Sequence, residues 1–314
     1  MPSPRNKTVY LTEDQKETLL SRCISAEDYV TNTPDTAVIC GDCTEIMPQL
    51  QRGCVDLLIA DPPYNLRKKY SDSTFQKMRE DEYRSFTAAW LDAAIPLLKP
   101  DASVYVCCDW ESSIIIVEEL KKRFRIRNRI TWQREKGRGA KDNWKNSMED
   151  VWYATLSKDF YFDLESVKQR RKVIAPYRDE SGSPKDWQET EDGRFRDTCP
   201  SNFWDDITVP YWSMSENTPH PTQKPEKLLA KLILASSPVG GLVFDPFAGS
   251  GTTGVTASKL GRRCLCIEQQ PEYCALTQFR LEKAKTNKTI QGYSKGVFWE
   301  RHTSDICNPS QDKE

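Results

Sequence analysis

Residues 241–254 read Gly-Leu-Val-Phe-Asp-Pro-Phe-Ala-Gly-Ser-Gly-Thr-Thr-Gly, and the next apolar run, Arg-Cys-Leu-Cys-Ile at 263–267, stops at Glu268. The run at 241–244 predicts a short buried strand, and the glycines after it predict a tight turn whose backbone can approach a ligand. The helix-like residues beyond would turn their N-terminus, the end that favours negative charge, toward the same place. Gly249, Gly251 and Gly254 fit G-x-G-x-x-G, and Glu268 stands nineteen positions past Gly249. An acid at that spacing is placed to reach ribose hydroxyls. Strand, glycine turn and acid together predict an adenosine-containing cofactor at the carboxyl edge of a sheet. The glycine fingerprint alone fits a nicotinamide-dependent dehydrogenase equally well.

Working outward, similar short apolar runs occur at 36–40, 55–60, 103–108, 126–132 and 151–156, with helix-like spacing at 82–98, 114–124 and 226–236. Strands alternating with helices predict an α/β fold with a doubly wound, mostly parallel sheet. Residues 157–218 break the alternation. They are polar, dotted with aromatics and rich in turn residues, and predict an inserted, less regular subdomain. The expected organisation is an N-terminal extension (1–35), a first catalytic part (36–156), the insertion (157–218), a second catalytic part (219–284) and a polar, peripheral tail (285–314).

Composition narrows the class. The 314 residues include 45 basic and 46 acidic side chains, for a net charge of −1, so any affinity for nucleic acid has to come from local clustering. No stretch approaches the ~20 apolar residues of a membrane span, and the polar start lacks the apolar centre of a secretory signal. A soluble, cytoplasmic protein is the expectation, with no membrane partner. Eleven cysteines, an odd number, predict reduced thiols, and with only His220 and His302 as histidines no metal site is expected.

A second motif follows the run at 55–60, which leads straight into Asp61-Pro62-Pro63-Tyr64. Two prolines stiffen the backbone and remove two amide donors, leaving carbonyls, a carboxylate and a ring on a rigid corner. Such a corner can accept two hydrogen bonds from an amino group while Tyr64 stacks on a planar partner. A strand-ending turn with Asp61 as a helix cap explains the same residues, and the motif alone leaves both open.

The two motifs together resemble the S-adenosylmethionine-dependent DNA amino-methyltransferases (adenine-N6 and cytosine-N4) in the permuted beta arrangement. In that group the Asp-Pro-Pro-Tyr element precedes the target-recognition region and the Phe-x-Gly-x-Gly element, here 247–251, follows it. His220-Pro221-Thr222-Gln223-Lys224-Pro225 matches a further family element, and the likeness spans residues 37–281. The resemblance implies a Rossmann-like, circularly permuted methyltransferase fold with residues 157–218 as target-recognition region. It implies that Asp61 and the Pro62 carbonyl accept hydrogen bonds from the amino group of a flipped base, with Pro63 stiffening the turn and Tyr64 stacking. It places S-adenosylmethionine against Asp245, Phe247, Ala248, Gly249, Ser250, Gly251 and Thr252, with Glu268 on the ribose. His220, Thr222 and Lys224 would lie near the methionine end, Lys224 pairing with the cofactor carboxylate. Asp42 and Cys43 match an element that contacts adenine, although Asp42 fits a helix cap as well.

The implied reaction is direct methyl transfer to an exocyclic amine, with DNA as partner. Asp at the first turn position goes more often with adenine N6 in that family and Ser with cytosine N4, so adenine N6 is expected and cytosine N4 is the alternative. A non-catalytic DNA-binding module on the same fold is a further alternative. A second copy of the chain and a functionally paired restriction endonuclease are the other partners implied.

For DNA contact, residues 121–146 hold eleven basic side chains against Glu135 and Asp142. Arg134, Lys136, Arg138, Lys141 and Lys145 are the expected phosphate contacts there. Residues 66–80 are expected to close over the base, with Arg67, Lys68 and Lys69 meeting the backbone. Lys168, Arg170 and Arg171 are expected to enter a groove, whereas 176–206, with nine acids against four bases, is expected to face solvent or a second subunit.

Overall fold

A computed structural model describes residues 5–70, 73–134, 142–173, 177–190 and 193–300. The chain opens with helices α1 (Glu13–Leu20) and α2 (Ala26–Asn32), each begun by a capping box at Thr12 and Ser25. Strand β1 (Thr36–Cys40), helix α3 (Cys43–Ile46) and strand β2 (Val55–Ala60) follow, then a hairpin of β3 (Lys68–Tyr70) and β4 (Ser73–Phe75). Next come α4 (Glu80–Ala94), β5 (Leu98–Cys108), α5 (Trp110–Arg123), β6 (Arg125–Gln133) and β7 (Met148–Thr155). The insertion supplies β8 (Gln169–Lys172), β9 (Gln188–Thr190), β10 (Gly193–Thr198) and β11 (Phe203–Trp204). The chain returns through α6 (Glu226–Ser236), β12 (Leu242–Asp245), α7 (Thr252–Lys259), β13 (Arg263–Glu268) and α8 (Pro271–Thr286), and the described residues close with β14 (Tyr293–Ser294) and β15 (Val297–Trp299).

Eight strands form one sheet in the order β1-β13-β12-β2-β5-β7-β6-β11. From β1 to β5 every pairing is parallel; β7 runs antiparallel to both β5 and β6. Side chains of a strand alternate between faces, and the two faces carry separate cores. Leu58, Ala60, Val104 and Val106 pack with Trp90 and Leu91 of α4 and Ile116 and Leu120 of α5. Leu57, Ile59, Tyr105 and Cys107 pack with Leu228 and Leu232 of α6, Val255 of α7 and Cys274 of α8. This doubly wound arrangement explains why the strands read as unbroken apolar runs.

Strands β2 and β12 lie side by side and parallel, with Val243 opposite Leu57 and Phe244 opposite Leu58. Asp56 pins that register. Its Oδ2 accepts the Leu242 amide at 2.8 Å and its Oδ1 accepts Lys99 Nζ at 2.6 Å. β5 starts earlier than its apolar core because it pairs with Val55 at Leu98 before bulging over 99–102, which holds Pro100.

The tail departs from its peripheral expectation. β15 pairs with β8 of the insertion, completing a second sheet in the order β14-β15-β8-β10-β9. Phe298 is fully buried among Ala230 and Leu234 of α6, and the Trp299 ring meets Phe195 edge-on at 5.5 Å. Short apolar runs between glycines give little periodic signal, yet three buried residues suffice to anchor a strand. Truncating Phe298 to Ala should destabilise the fold by about 3–5 kcal/mol. In urea the unfolding midpoint should fall while the slope of the transition is retained.

Candidate active site

Because β2, β12 and β13 are parallel neighbours, the loops leaving them open on one edge of the sheet. Together with the turn after β1 and residues 220–224 they enclose a cavity of about 470 Å³. Asp61 and Pro63 face it from one side. Asp245, Phe247, Ala248, Gly249, Ser250, Thr252 and Glu268 face it from the other, with Asp42 and Cys43 beside them. His220, Thr222 and Lys224 also contribute to its wall. Pro62 is buried behind the turn, and Gly251 supplies the bend into α7 at φ +75°, where a Cβ would lie 2.4 Å from Thr277.

The glycine loop is held by its neighbours. The Gly249 amide donates to Glu268 Oε2 at 2.7 Å and the Gln270 amide to Oε1 at 2.8 Å. Arg280 of α8 donates to the Ser250 carbonyl at 2.7 Å and to Thr252 Oγ1 at 3.0 Å. At Gly249, φ is +53° and a Cβ would come within 2.9 Å of His220 Nε2, so only glycine fits. Asp245 receives the Phe247 amide at 2.9 Å, and burial pushes its carboxyl up to about 7. Asp42 caps α3 through the Thr44 amide at 2.8 Å and also lines the cavity.

The Asp61 turn carries a compact charged cluster. Tyr64 Oη donates toward Asp61 Oδ1 at 3.0 Å and toward Glu149 Oε2 at 3.1 Å. Lys224 Nζ donates to Asp61 Oδ2 at 2.6 Å and to Tyr64 Oη at 3.1 Å, and lies 3.3 Å from Glu149 Oε2. Arg134 pairs with Glu149 Oε1. Burial opposes the Lys224 charge, but Asp61 and Glu149 outweigh it and hold the ammonium above its usual range. The turn is braced beneath, since the Pro63 carbonyl accepts Tyr83 Oη at 3.0 Å.

A turn of this composition sharing a cavity with a glycine loop is matched elsewhere. The family model N6_N4_Mtase, described as DNA methylase, matches residues 55–279. The chain belongs to this family. The methylase is 32% identical to DNA adenine methyltransferase YhdJ of Escherichia coli (strain K12) over 254 residues, 79% of this chain and 83% of that protein. It is 31% identical over 251 residues to Type II methyltransferase M.HpaI of Haemophilus parainfluenzae, covering 79% and 74% of the two chains. Among solved structures, the PvuII DNA methyltransferase (cytosine-N4-specific) shares the fold with a TM-score of 0.60 at 19% identity, over 80% of this chain and 90% of that one. The family assignment leaves the nicotinamide-dehydrogenase alternative without support.

Several expected contacts need correction. Lys224 lines the cavity with its ammonium on the Asp61 turn. Arg134 turns inward to Glu149 and is not a surface phosphate contact. Arg170 grips Asp197 through two bonds of 2.8 and 2.7 Å, because the β8–β10 register sets these residues opposite each other. Lys168 pairs with Glu165 at 2.7 Å and Arg171 with Glu300 at 3.2 Å, so the charges proposed for a groove are matched by acids nearby. Lys136, Arg138 and Lys141 lie outside the described residues. Lys145 is exposed beside Trp144, and Arg67 is exposed where the chain enters the β3–β4 hairpin that carries Lys68 and Lys69. That hairpin brings Thr74 and Phe75 to the cavity wall.

Sequence reasoning does not single out Glu149, nor Phe75 and Phe86, which join the expected Phe247 in an aromatic wall. The signal for Glu149 was an acid at the head of an apolar strand. The ring pairs, at 6.1 and 6.3 Å, join residues from three separate elements and leave no local pattern.

His220 packs edge-on against Tyr273 at 4.5 Å, and burial, with Lys224 and Arg280 adding to it, lowers its imidazole to about 3. The unfolded imidazole protonates near 6.5, so the folded state binds fewer protons below that value. Stability contributed by this group is therefore present at neutral pH and lost as pH falls from about 6.5 toward about 3. His220→Gln should remove up to about 1.4 kcal/mol of stability change per pH unit in that window. Denaturant titrations of both proteins between about pH 7 and pH 5 would measure the difference.

Proposed function

We propose that this methylase transfers a methyl group from S-adenosylmethionine to the exocyclic amine of a base flipped out of DNA, adenine N6 in preference to cytosine N4. One observation carries the reading: the Asp61 turn and the Gly249–Glu268 loop open into the same cavity. The cofactor's charge suits that cavity. Carboxyl groups of Asp42, Asp61, Asp245 and Glu268 line it; Asp61 is paired with Lys224 and burial pushes the Asp245 and Glu268 carboxyls up, so the wall offers acceptors and little unmatched positive charge. An acidic cavity favours a cationic sulfonium over a pyrophosphate.

Glu268 is placed to take the ribose hydroxyls, and the glycine backbone lets a nucleoside approach without meeting side chains. When bound, the cofactor supplies an activated methyl group, so no protein nucleophile is needed. The chain contributes position and charge. Asp61 and the Pro62 carbonyl accept hydrogens from an amine whose lone pair is otherwise delocalised into the base, and stabilise positive charge as it develops there. Tyr64, whose hydroxyl is tied to Asp61 and Glu149 and which lies behind the cavity lining, is proposed to stack on the base, and the stiff corner holds the nitrogen in line. Reaching it requires the base to leave the helical stack. Arg67, Lys68, Lys69 and Lys145 are proposed to contact the phosphates, and residues 157–218 to read sequence.

Adenine is favoured by the aspartate that opens the turn and by the adenine methyltransferase at 32% identity. Asp61→Ala should reduce methyl incorporation into DNA by on the order of 10²–10³-fold or more, with cofactor binding retained in a thermal-shift titration. Mass spectrometry of nucleosides from DNA treated with the unaltered protein should show N6-methyladenine. N4-methylcytosine alone would replace the adenine assignment.

A further inference from the structure

Both carboxylate oxygens of Asp61 are engaged before any substrate arrives, Oδ1 by Tyr64 Oη and Oδ2 by Lys224 Nζ. A carboxylate has about four lone-pair sites, so a substrate amine can bind Asp61 beside these donors, but it meets the full negative charge only where a donor gives way. Each donor already lies near a second acceptor. Glu149 Oε2 is 3.1 Å from Tyr64 Oη and 3.3 Å from Lys224 Nζ. A phenol has a single hydrogen, so Tyr64 can donate to Asp61 or to Glu149 but not to both. An ammonium has three hydrogens and can shift its weight between the two carboxylates without moving its stem. Glu149 itself stays fixed, buried on β7 with its other oxygen held by Arg134.

We infer that Glu149 is a positioning residue for methyl transfer: it takes over the Tyr64 hydroxyl and the Lys224 ammonium when the substrate amine claims the oxygens of Asp61. The inference deepens the methyltransferase reading and rests on it. The charge balance explains why an acid is needed. Asp61 and Glu149 face Lys224 and Arg134, two anions against two cations. With Glu149 present, Lys224 has an alternative partner and Asp61 keeps its negative charge for the amine as that nitrogen turns positive. Without it, Lys224 binds Asp61 alone and cancels the charge the amine would meet.

The test uses the full chain, a duplex DNA carrying methylatable sites and labelled S-adenosylmethionine. Glu149→Gln should lower kcat by on the order of a hundredfold, while affinity for the cofactor stays within about threefold of the unaltered protein. A buried counter-ion with only a structural role would lose both together, and that result would overturn the inference. The double variant Glu149→Gln with Lys224→Gln carries the sharper sign. Removing the ammonium that over-neutralises Asp61 should restore kcat several-fold above Glu149→Gln alone, whereas independent damage would make the double variant slower. A double variant slower than the single one, or Glu149→Gln at the unaltered rate, refutes the assignment. If Glu149→Gln does not fold, Glu149→Asp decides by the same measurements, since it keeps the charge but shortens the reach and should give an intermediate kcat with normal cofactor affinity. Failure of the unaltered chain to methylate any DNA would instead bring down the reading of the site on which this rests.

Discussion

The parallel pairing of β2 with β12 is the constraint on which the rest of this molecule depends. Neighbouring strands in a sheet run about 4.8 Å apart, so whatever leaves their carboxyl ends is forced into the same space. Here the chain leaves β2 at the proline corner and leaves β12 at the glycine loop. Neither motif contains the information that joins them. The joining is done by apolar runs whose side chains fill both faces of the sheet, and by Asp56, which sets the register from inside β2. A half-buried carboxylate that accepts from one backbone amide and one ammonium favours this register, because a slip would lose both partners.

Two buried ionic clusters show how the same chemistry serves different ends. Asp206 receives Lys227 at 2.6 Å and Lys231 at 3.2 Å, and Lys227 also donates to the Trp299 carbonyl at 2.6 Å. That cluster fastens the second sheet to α6 and is closed over by Trp204 and Phe298, against whose rings Lys231 lies. The cluster at Asp61 differs in one respect: Asp61 and Lys224 form part of a cavity wall. An ionic network sealed from solvent has one arrangement available to it. A network with an open side and one more acceptor than Tyr64 can use at a time has two. Buried ion pairs contribute little net stability, so the second arrangement is the more informative feature.

The fold was legible because it is written in local terms. The strands at 36–40 and 55–60 and the helix at 226–236 coincide with their apolar runs, and the glycine loop announces itself by residues that tolerate positive φ. The cavity was legible for a related reason: its two motifs are contiguous stretches of sequence. What could not be read is long-range pairing of charges. The sequence presents Arg134 as one member of a basic run and Lys224 as one member of a motif, yet Arg134 ends on Glu149 of β7 and Lys224 lies between Asp61 and that same glutamate. In the insertion, Arg170 looked available for DNA only because its partner, Asp197, lies 27 positions away across a strand pair.

The same pairing explains why net charge is a poor guide to what this chain binds. With 45 basic and 46 acidic residues, affinity depends on which charges are already matched within the fold. Acids among 176–206 are partly matched: Asp186 holds Arg196 at 3.3 Å and Glu189 holds Arg194 at 3.2 Å within the stretch, and Asp197 holds Arg170, which lies outside it. A surface whose acids and bases neutralise each other in place repels a polyanion far less than its composition suggests, and attracts it less as well. Attraction then depends on cations that the fold leaves unmatched. A neutral chain can thus present an acid-lined cavity for a cationic nucleoside and still approach DNA, because the two fields are generated by different residues at different depths.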